Sequence, residues 1–276
     1  MPRSASSKNY TYLLGDSSKE AACLKAQAKL WDPVSLALFD RLRIKRGWKI
    51  LEIGPGAGSL HMELRRRTAA PVDVVERSPV FAEHIARLSK RDGFGAGRIW
   101  QCDLLDADLP RNHYDLIFVR WVFLFLPDPL AHLRLLTRAL KPGGRIAIQD
   151  YYRDSLGMVP TPPEWPAFLA ADVAFFASQG GHASIGAKLP EMYRKAGLSV
   201  ESVVPTIKSG TPGTPAWNWM STYFYRIMDE YAKFPPFTPA MARSLTRQWH
   251  AAEREKTSLL ISPAVLDVVG RKKRGK

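Results

Sequence analysis

From residue 48 onward the chain alternates short apolar runs with longer amphipathic ones. The first pair is joined by glycines, in Ile50-Leu51-Glu52-Ile53-Gly54-Pro55-Gly56-Ala57-Gly58-Ser59-Leu60. No other feature restricts the fold as strongly. The runs at 48–53, 72–76, 99–102, 114–119 and 145–151 are apolar throughout rather than at every second residue, which predicts strands covered by helices on both faces. Helical patterns at 60–68, 79–90 and 129–140 lie between them. Repetition of this kind gives an α/β fold built on a parallel, doubly wound sheet. After residue 152 the rhythm breaks. Helices are predicted at 165–177, 189–196, 217–234 and 239–255, with a strand at 199–205 and a last one within 258–270.

Ahead of the sheet, Ser17-Ser18-Lys19-Glu20 reads as a capping box opening a helix toward Trp31. Pro33 is expected to interrupt it, with a second helix at 34–42 that ends in cations and Gly47. The expected organisation is an N-terminal helical lid (1–42), a main domain (43–270) with substrate-covering insertions at 153–185 and 210–255, and a mobile basic tail (271–276). The Pro-rich turns at 160–163 and 235–239 frame the insertions as candidate hinges.

The glycine turn limits what the carboxyl edge of the sheet can hold. Glycines allow a tight turn and close approach of a ligand to the helix N-terminus behind them. A phosphate-cradling P-loop is excluded because no Gly-Lys-Ser/Thr follows, and the dinucleotide fingerprint needs glycine where Ser59 stands. The spacing is G-x-G-x-G, with Glu52 two residues ahead, and a carboxylate there repels a pyrophosphate but suits a cationic ligand. Glu76 ends the second strand, where doubly wound folds meet a ribose diol. Asp103 follows the third, where an adenine amino group could be bound. Each acid has a plain alternative, Glu52 as a strand-end carboxylate and Asp103 as a helix cap. The ordered set at one edge is what points to a site.

These segments resemble the class I S-adenosylmethionine-dependent methyltransferases over roughly residues 20–205. The resemblance rests on Leu51-Glu52-Ile53-Gly54-Pro55-Gly56-Ala57-Gly58, on Glu76, on Asp103-Leu104, on Tyr114-Asp115-Leu116-Ile117-Phe118-Val119-Arg120 and on Leu140-Lys141-Pro142-Gly143-Gly144. The last is similar to the turn of the ubiquinone and menaquinone branch. The resemblance implies a Rossmann-like, seven-stranded, mostly parallel sheet whose last strand, placed at 266–270, runs antiparallel. It implies S-adenosyl-L-methionine as cofactor, with Tyr12, Gln27, Glu52, Gly54, Gly56, Gly58, Glu76, Arg77, Asp103, Leu104 and Arg120 as cofactor-binding candidates. Natural-product methylation by a cytoplasmic enzyme is the setting it suggests.

Methyl transfer is an in-line displacement in which the cofactor brings the reactivity and the protein aligns the nucleophile. A base helps when the acceptor is a hydroxyl. The catalytic candidates are His182, in Gly180-Gly181-His182, with Asp150 and Tyr152 at the end of strand five; an exposed loop histidine is the plain reading of the first. Trp217, Trp219, Tyr223, Phe224 and Tyr225 crowd one helix, as core with an aromatic wall that would suit a flat or apolar acceptor.

Composition sharpens the partner. Forty Lys+Arg against twenty-six Asp+Glu give a formal charge of +14, which alone favours an anionic partner. Five of these charges lie in the tail, leaving +9, read as spread over helix faces, with Arg65-Arg66-Arg67 on an exposed one. The Asn/Asp-Pro-Pro-Tyr/Phe motif of amino-methylating nucleic-acid enzymes is absent, Arg120-Trp121-Val122-Phe123 standing in its place. No proline precedes either cysteine, as cytosine-C5 enzymes require. A small-molecule partner is therefore expected; an RNA acceptor, or a catalytically silent cofactor-binding protein, is the alternative. Cys23 and Cys102 have no metal-ligand spacing. The polar start lacks a signal-peptide core, and the most apolar stretch, 116–126, is too short to span a bilayer.

Overall fold

The computed structural model describes the backbone of residues 18–274 and side chains from residue 26 onward. Seven strands form one sheet in which β1 (Ile50–Ile53), β2 (Val72–Val75), β3 (Ile99–Trp100), β4 (Tyr114–Arg120) and β5 (Leu140–Tyr152) run parallel. The antiparallel β10 (Ala264–Lys272) pairs with β5 on one side and β7 (Leu198–Thr206) on the other. The order is β3-β2-β1-β4-β5-β10-β7. The expected Rossmann-like seven-stranded sheet is what the chain forms, including its antiparallel last strand. Leu51, Leu116, Ile117, Ile146 and Ile148 have no exposed surface, as strands covered on both faces require. The reversal of strand order between β1 and β4 opens a crevice beyond their carboxyl ends.

Four features depart from the sequence reading. The N-terminal helix α1 (Ser18–Leu42) is continuous through Pro33. Proline costs a helix one hydrogen bond, but Trp31, Leu38, Phe39 and Leu42 are buried on either side of it and hold both halves in line. Asp32 pairs with Arg120 at 2.8 Å, Ser35 bonds Gln149, and Arg41 pairs with the buried Asp267. The latter half of α1 is thus a covering layer of the sheet. The residue foreseen as its cap, Ser17, lies outside the described residues.

Second, 258–270 is two strands. Pro263, which has no N–H for a ladder, separates β9 (Leu259–Ile261) from β10. β9 joins β6 (Gly157–Val159) and β8 (Ser209–Gly210) in a small second sheet that two- and three-residue strands did not announce.

Third, Arg65 is not on an exposed face of α2 (Ser59–Thr68). It is fully buried, bidentate to Asp92 at 2.6 and 2.5 Å and donating to the carbonyls of Ser89 and Gly95. Paired and hydrogen-bonded, the charge tolerates burial.

Fourth, the basic tail begins later than expected. Arg271 and Lys272 belong to β10, Arg271 pairing with Glu201 while Lys272 Nζ donates to the carbonyls of Arg138 and Leu140 at the end of α4 (Pro129–Ala139). A cation there suits the helix dipole.

The region after β5 supplies α5 (Trp165–Ser178), α6 (Ile185–Lys195), α7 (Pro215–Tyr231) and α8 (Pro239–Ala252). With α3 (Pro79–Leu88) they complete the helices. Arg153, just past β5, ties these pieces together. Buried, it is bidentate to Asp172 of α5 at 2.7 and 2.5 Å and reaches Tyr223 of α7 at 3.1 Å, while Tyr231 of α7 donates to the same Asp172. Among the described residues no helix is long and apolar enough to cross a membrane.

Candidate active site

The glycine turn between β1 and α2 has the backbone that its glycines foretell. Gly54, Gly56 and Gly58 have φ of +63°, +53° and +80°, a region that favours glycine. They differ in surroundings. A Cβ on Gly54 would meet Val122 at 2.7 Å, and one on Gly58 would meet Ile85 and Leu88 at 2.7 Å, whereas nothing lies within 4 Å at Gly56. The turn is packed at both ends and open in the middle.

Glu76 follows β2 and is 9% exposed. Its carboxylate accepts the N–H of Ser78 at 2.8 Å and those of Gly56 and Arg77. Burial raises its pKa, against the opposing pull of these N–H groups and the Arg77 charge. A carboxylate tethered to the open glycine of the turn is a suitable acceptor pair for vicinal hydroxyls. Asp103 is exposed, 3.9 Å from Arg77, and caps nothing with its side chain; the neighbouring Leu104 is buried in the main core. The structure thus gathers Gly54, Gly56, Gly58, Glu76, Arg77, Asp103 and Leu104 along the carboxyl ends of β1, β2 and β3.

Glu52 lies deeper. It is buried, one oxygen bonding His61 Nδ1 at 2.9 Å, and His61 Nε2 meets Ser89 Oγ at 3.1 Å. His61 was absent from the sequence reading. Its place three residues into α2, one turn from Gly58, was the available signal. Arg120, at the end of β4, is enclosed, paired to Asp32 and bonded to Ser35 at 3.1 Å, and stacks over Trp121 at 4.5 Å. Burial lowers its pKa, with the carboxylate of Asp32 opposing. Gln27 donates to the Tyr151 hydroxyl at 3.3 Å. Tyr12 lies outside the described residues.

Past β4 the chain turns at Trp121, a non-glycine residue with φ of +55°. Such a strained backbone is held by its surroundings, here by Trp121 N–H donating to the Gln149 carbonyl at 2.9 Å and by stacking on Tyr151. Trp31 meets Trp121 edge-on with ring centroids 6.3 Å apart, and Trp219 of α7 at 5.8 Å. The buried indole N–H groups of Trp31 and Trp121 have no hydrogen-bond partner among the described residues. Of the helix expected to form an aromatic wall, Trp217, Trp219 and Phe224 are buried, Tyr223 is partly buried and Tyr225 is exposed.

The catalytic candidates separate. Asp150 is wholly buried and bonds the N–H groups of Leu124 and Tyr151 at 3.2 and 2.8 Å. Burial pushes its pKa up to about 7. Enclosed in this way it braces the turn after β4 and presents no open oxygen to an acceptor, which argues against its place among the catalytic candidates. His182 is half-buried, and its backbone N–H donates to the Leu124 carbonyl at 2.7 Å. Gly181 permits this approach, since a Cβ there would lie 2.4 Å from the same carbonyl. Burial and the Lys188 charge lower the His182 pKa, favouring the neutral imidazole that a base must present. Tyr152 is exposed. One turn, 123–125, therefore ties Asp150 and His182 to the carboxyl edge.

The donor set fits S-adenosylmethionine: an open glycine turn, a backbone-tethered carboxylate for the ribose, an exposed Asp beside it, and no cation on the turn to call for a phosphate chain. Comparison with known proteins agrees. Residues 51–148 match a family model described as a methyltransferase domain. A ubiquinone/menaquinone biosynthesis C-methyltransferase, UbiE, of Idiomarina loihiensis is 29% identical over 126 residues, 45% of this chain and 49% of that protein. Methyltransferase GfsG of Streptomyces halstedii is 34% identical over 116 residues, 41% of each. The chain matches about half the length, or less, of these curated relatives. The phosphoethanolamine N-methyltransferase 2 of Haemonchus contortus, solved with S-adenosyl-L-methionine, superposes with a TM-score of 0.53 at 17% identity, over 89% of this chain and 53% of that one.

Residues 51–148 thus resemble a methyltransferase domain, set in a sheet with the fold of solved methyltransferases, and S-adenosylmethionine is the cofactor that the donor set fits.

Proposed function

We propose that this chain transfers the methyl group of S-adenosylmethionine to an O, N or C atom of a small aromatic or apolar molecule. The observation that carries the acceptor class is the ring cluster of Trp31, Trp121, Tyr151 and Trp219 at the carboxyl edge. Trp121, its part-exposed member, offers flat apolar surface backed by the buried rings of Trp31, Tyr151 and Trp219. The names of the relatives support the same class, UbiE being a C-methyltransferase of ubiquinone and menaquinone biosynthesis.

On this reading the backbone of Gly54–Gly58 and the carboxylates of Glu76 and Asp103 hold the nucleoside. The uncommitted oxygen of Glu52 serves the cationic end of the cofactor, with Arg120 and Gln27 beside it. When bound, the cofactor supplies an electrophilic methyl on a sulfonium. The aromatic faces exclude water and favour the positive charge. For a hydroxyl acceptor, neutral His182 takes the proton that the oxygen loses. No single side chain is required by the displacement itself, so alignment carries most of the rate.

The test is transfer of labelled methyl from S-adenosylmethionine to a panel of phenols, quinols, aliphatic hydroxyls and amines, beside total RNA. Label on a small acceptor is expected. Label on RNA alone would overturn the reading.

A further inference from the structure

The edge of the sheet opposite the glycine turn holds a cavity of about 220 Å³. It lies where β4 and β5 begin, next to Trp48 just ahead of β1 and to the end of the antiparallel β10. Its cationic wall is Lys141, Arg145, Arg271 and Arg274. Drug-sized ligands fill pockets of roughly 300–1,000 Å³, so this volume suits a small anion or a headgroup.

Its charges do not cancel. Lys141 is paired with Asp115 at 2.7 Å, Arg145 and Arg271 share the single carboxylate of Glu201, and Arg274 has no carboxylate partner among the described residues. Four cations thus face two carboxylates. The guanidinium groups also keep donors in reserve. Arg145 commits Nε to Glu201 and Nη1 to the Leu42 carbonyl, and Arg271 commits Nε to Glu201 and Nη1 to the Gly143 carbonyl. Neither Nη2 has a protein partner among the described residues. Arg274 lies across the Pro142-Gly143-Gly144 turn, its Nε 3.2 Å from where a Cβ on Gly143 would stand. Gly143, at φ +82°, leaves that space to the guanidinium.

We propose that this basic cavity, walled by Lys141, Arg145, Arg271 and Arg274, is a binding site for a phosphomonoester group. A phosphomonoester carries close to two negative charges at neutral pH and three acceptor oxygens, matching the surplus of two cations and the free guanidinium donors. A phosphodiester, with one charge, leaves the surplus half compensated. Arginine forks match the oxygens of such an oxyanion bidentately, and its second charge sets it apart from a carboxylate. The group can come from a free metabolite or from the headgroup of phosphatidic acid. Either would bind on the far side of the sheet from the methyl-transfer cleft, so the site is separate from the cofactor.

The probes for the full chain are glycerol 3-phosphate by calorimetry and phosphatidylcholine vesicles containing phosphatidic acid by co-sedimentation. Glycerophosphoglycerol and phosphatidylglycerol vesicles are the singly charged phosphodiester counterparts at matched ionic strength. Binding of either monoester probe in preference to its diester counterpart is expected, and which probe binds identifies the source. Arg274→Glu, an exposed change past the end of β10, should weaken that binding about tenfold or more and leave affinity for S-adenosylhomocysteine unchanged. Absence of binding to both monoester probes, equal binding of the diester counterparts, or unchanged binding by Arg274→Glu would overturn the proposal.

Discussion

Glu76 is under two opposing demands. Burial favours its proton, while three backbone N–H groups favour the charge. In the ribose-binding role proposed for it, only the ionised carboxylate offers acceptors to both hydroxyls, and burial keeps the pKa above the ordinary value of about 4.3. Affinity for S-adenosylhomocysteine should therefore fall on acidification sooner than an exposed glutamate would dictate. Calorimetry from pH 7.5 downward should show that fall at a higher pH than for an exposed glutamate, and Glu76→Gln should bind about 10- to 100-fold more weakly, with the pH dependence flattened. Asp150 has the same cause with a different consequence. Its pKa of about 7 in the folded chain exceeds the unfolded value of about 3.9. The stability it contributes is complete below the unfolded value and is lost as pH rises through about 7. Urea midpoints should decline from pH 5 to 8, and Asp150→Asn should flatten that decline. Both residues were legible as strand-end carboxylates at the correct edge. What the sequence could not separate was their environment. Glu76 faces the open middle of a glycine turn, whereas Asp150 is sealed under the turn carrying Leu124.

Elements were legible where hydrophobic period and capping agreed. β1, β2 and β4 lie where unbroken apolar runs place them, and α3 and α4 start at prolines behind Ser78 and Asp128 caps. α1 was misread because the local rule for Pro33 is weaker than the burial of the residues around it. The second sheet was invisible because two- and three-residue strands carry no period. Arg65 was misread because its partners, Asp92 and two carbonyls, come from a loop more than twenty residues away. The same long-range pairing joins the insertions to the sheet through Arg153 and Asp172. Removing one partner of a buried pair leaves an uncompensated charge at about 3–5 kcal/mol. Asp172→Ala should therefore lower unfolding stability by about that amount, measured in urea at pH 7. A loss below about 1 kcal/mol would mean that the pair is hydrated.

Across the molecule, acidic and basic groups gather at opposite ends of the sheet. The carboxyl edge of the sheet presents Glu76 and Asp103, while Lys141, Arg145, Arg271 and Arg274 meet at the opposite edge. A count of +14 could not reveal that separation, since two cations at the start of β5 and two at or just past the end of β10 converge only when β10 inserts beside β5. Cofactor binding depends on the open glycine turn, and Gly56 tests this most directly. A side chain placed there enters open space rather than the core, so Gly56→Arg should keep the fold while closing the turn. Titration calorimetry with S-adenosylhomocysteine should give one molecule bound per native chain and none per Gly56→Arg chain, with circular dichroism showing both chains folded. No binding by the native chain, or equal affinity in the two, would contradict the account.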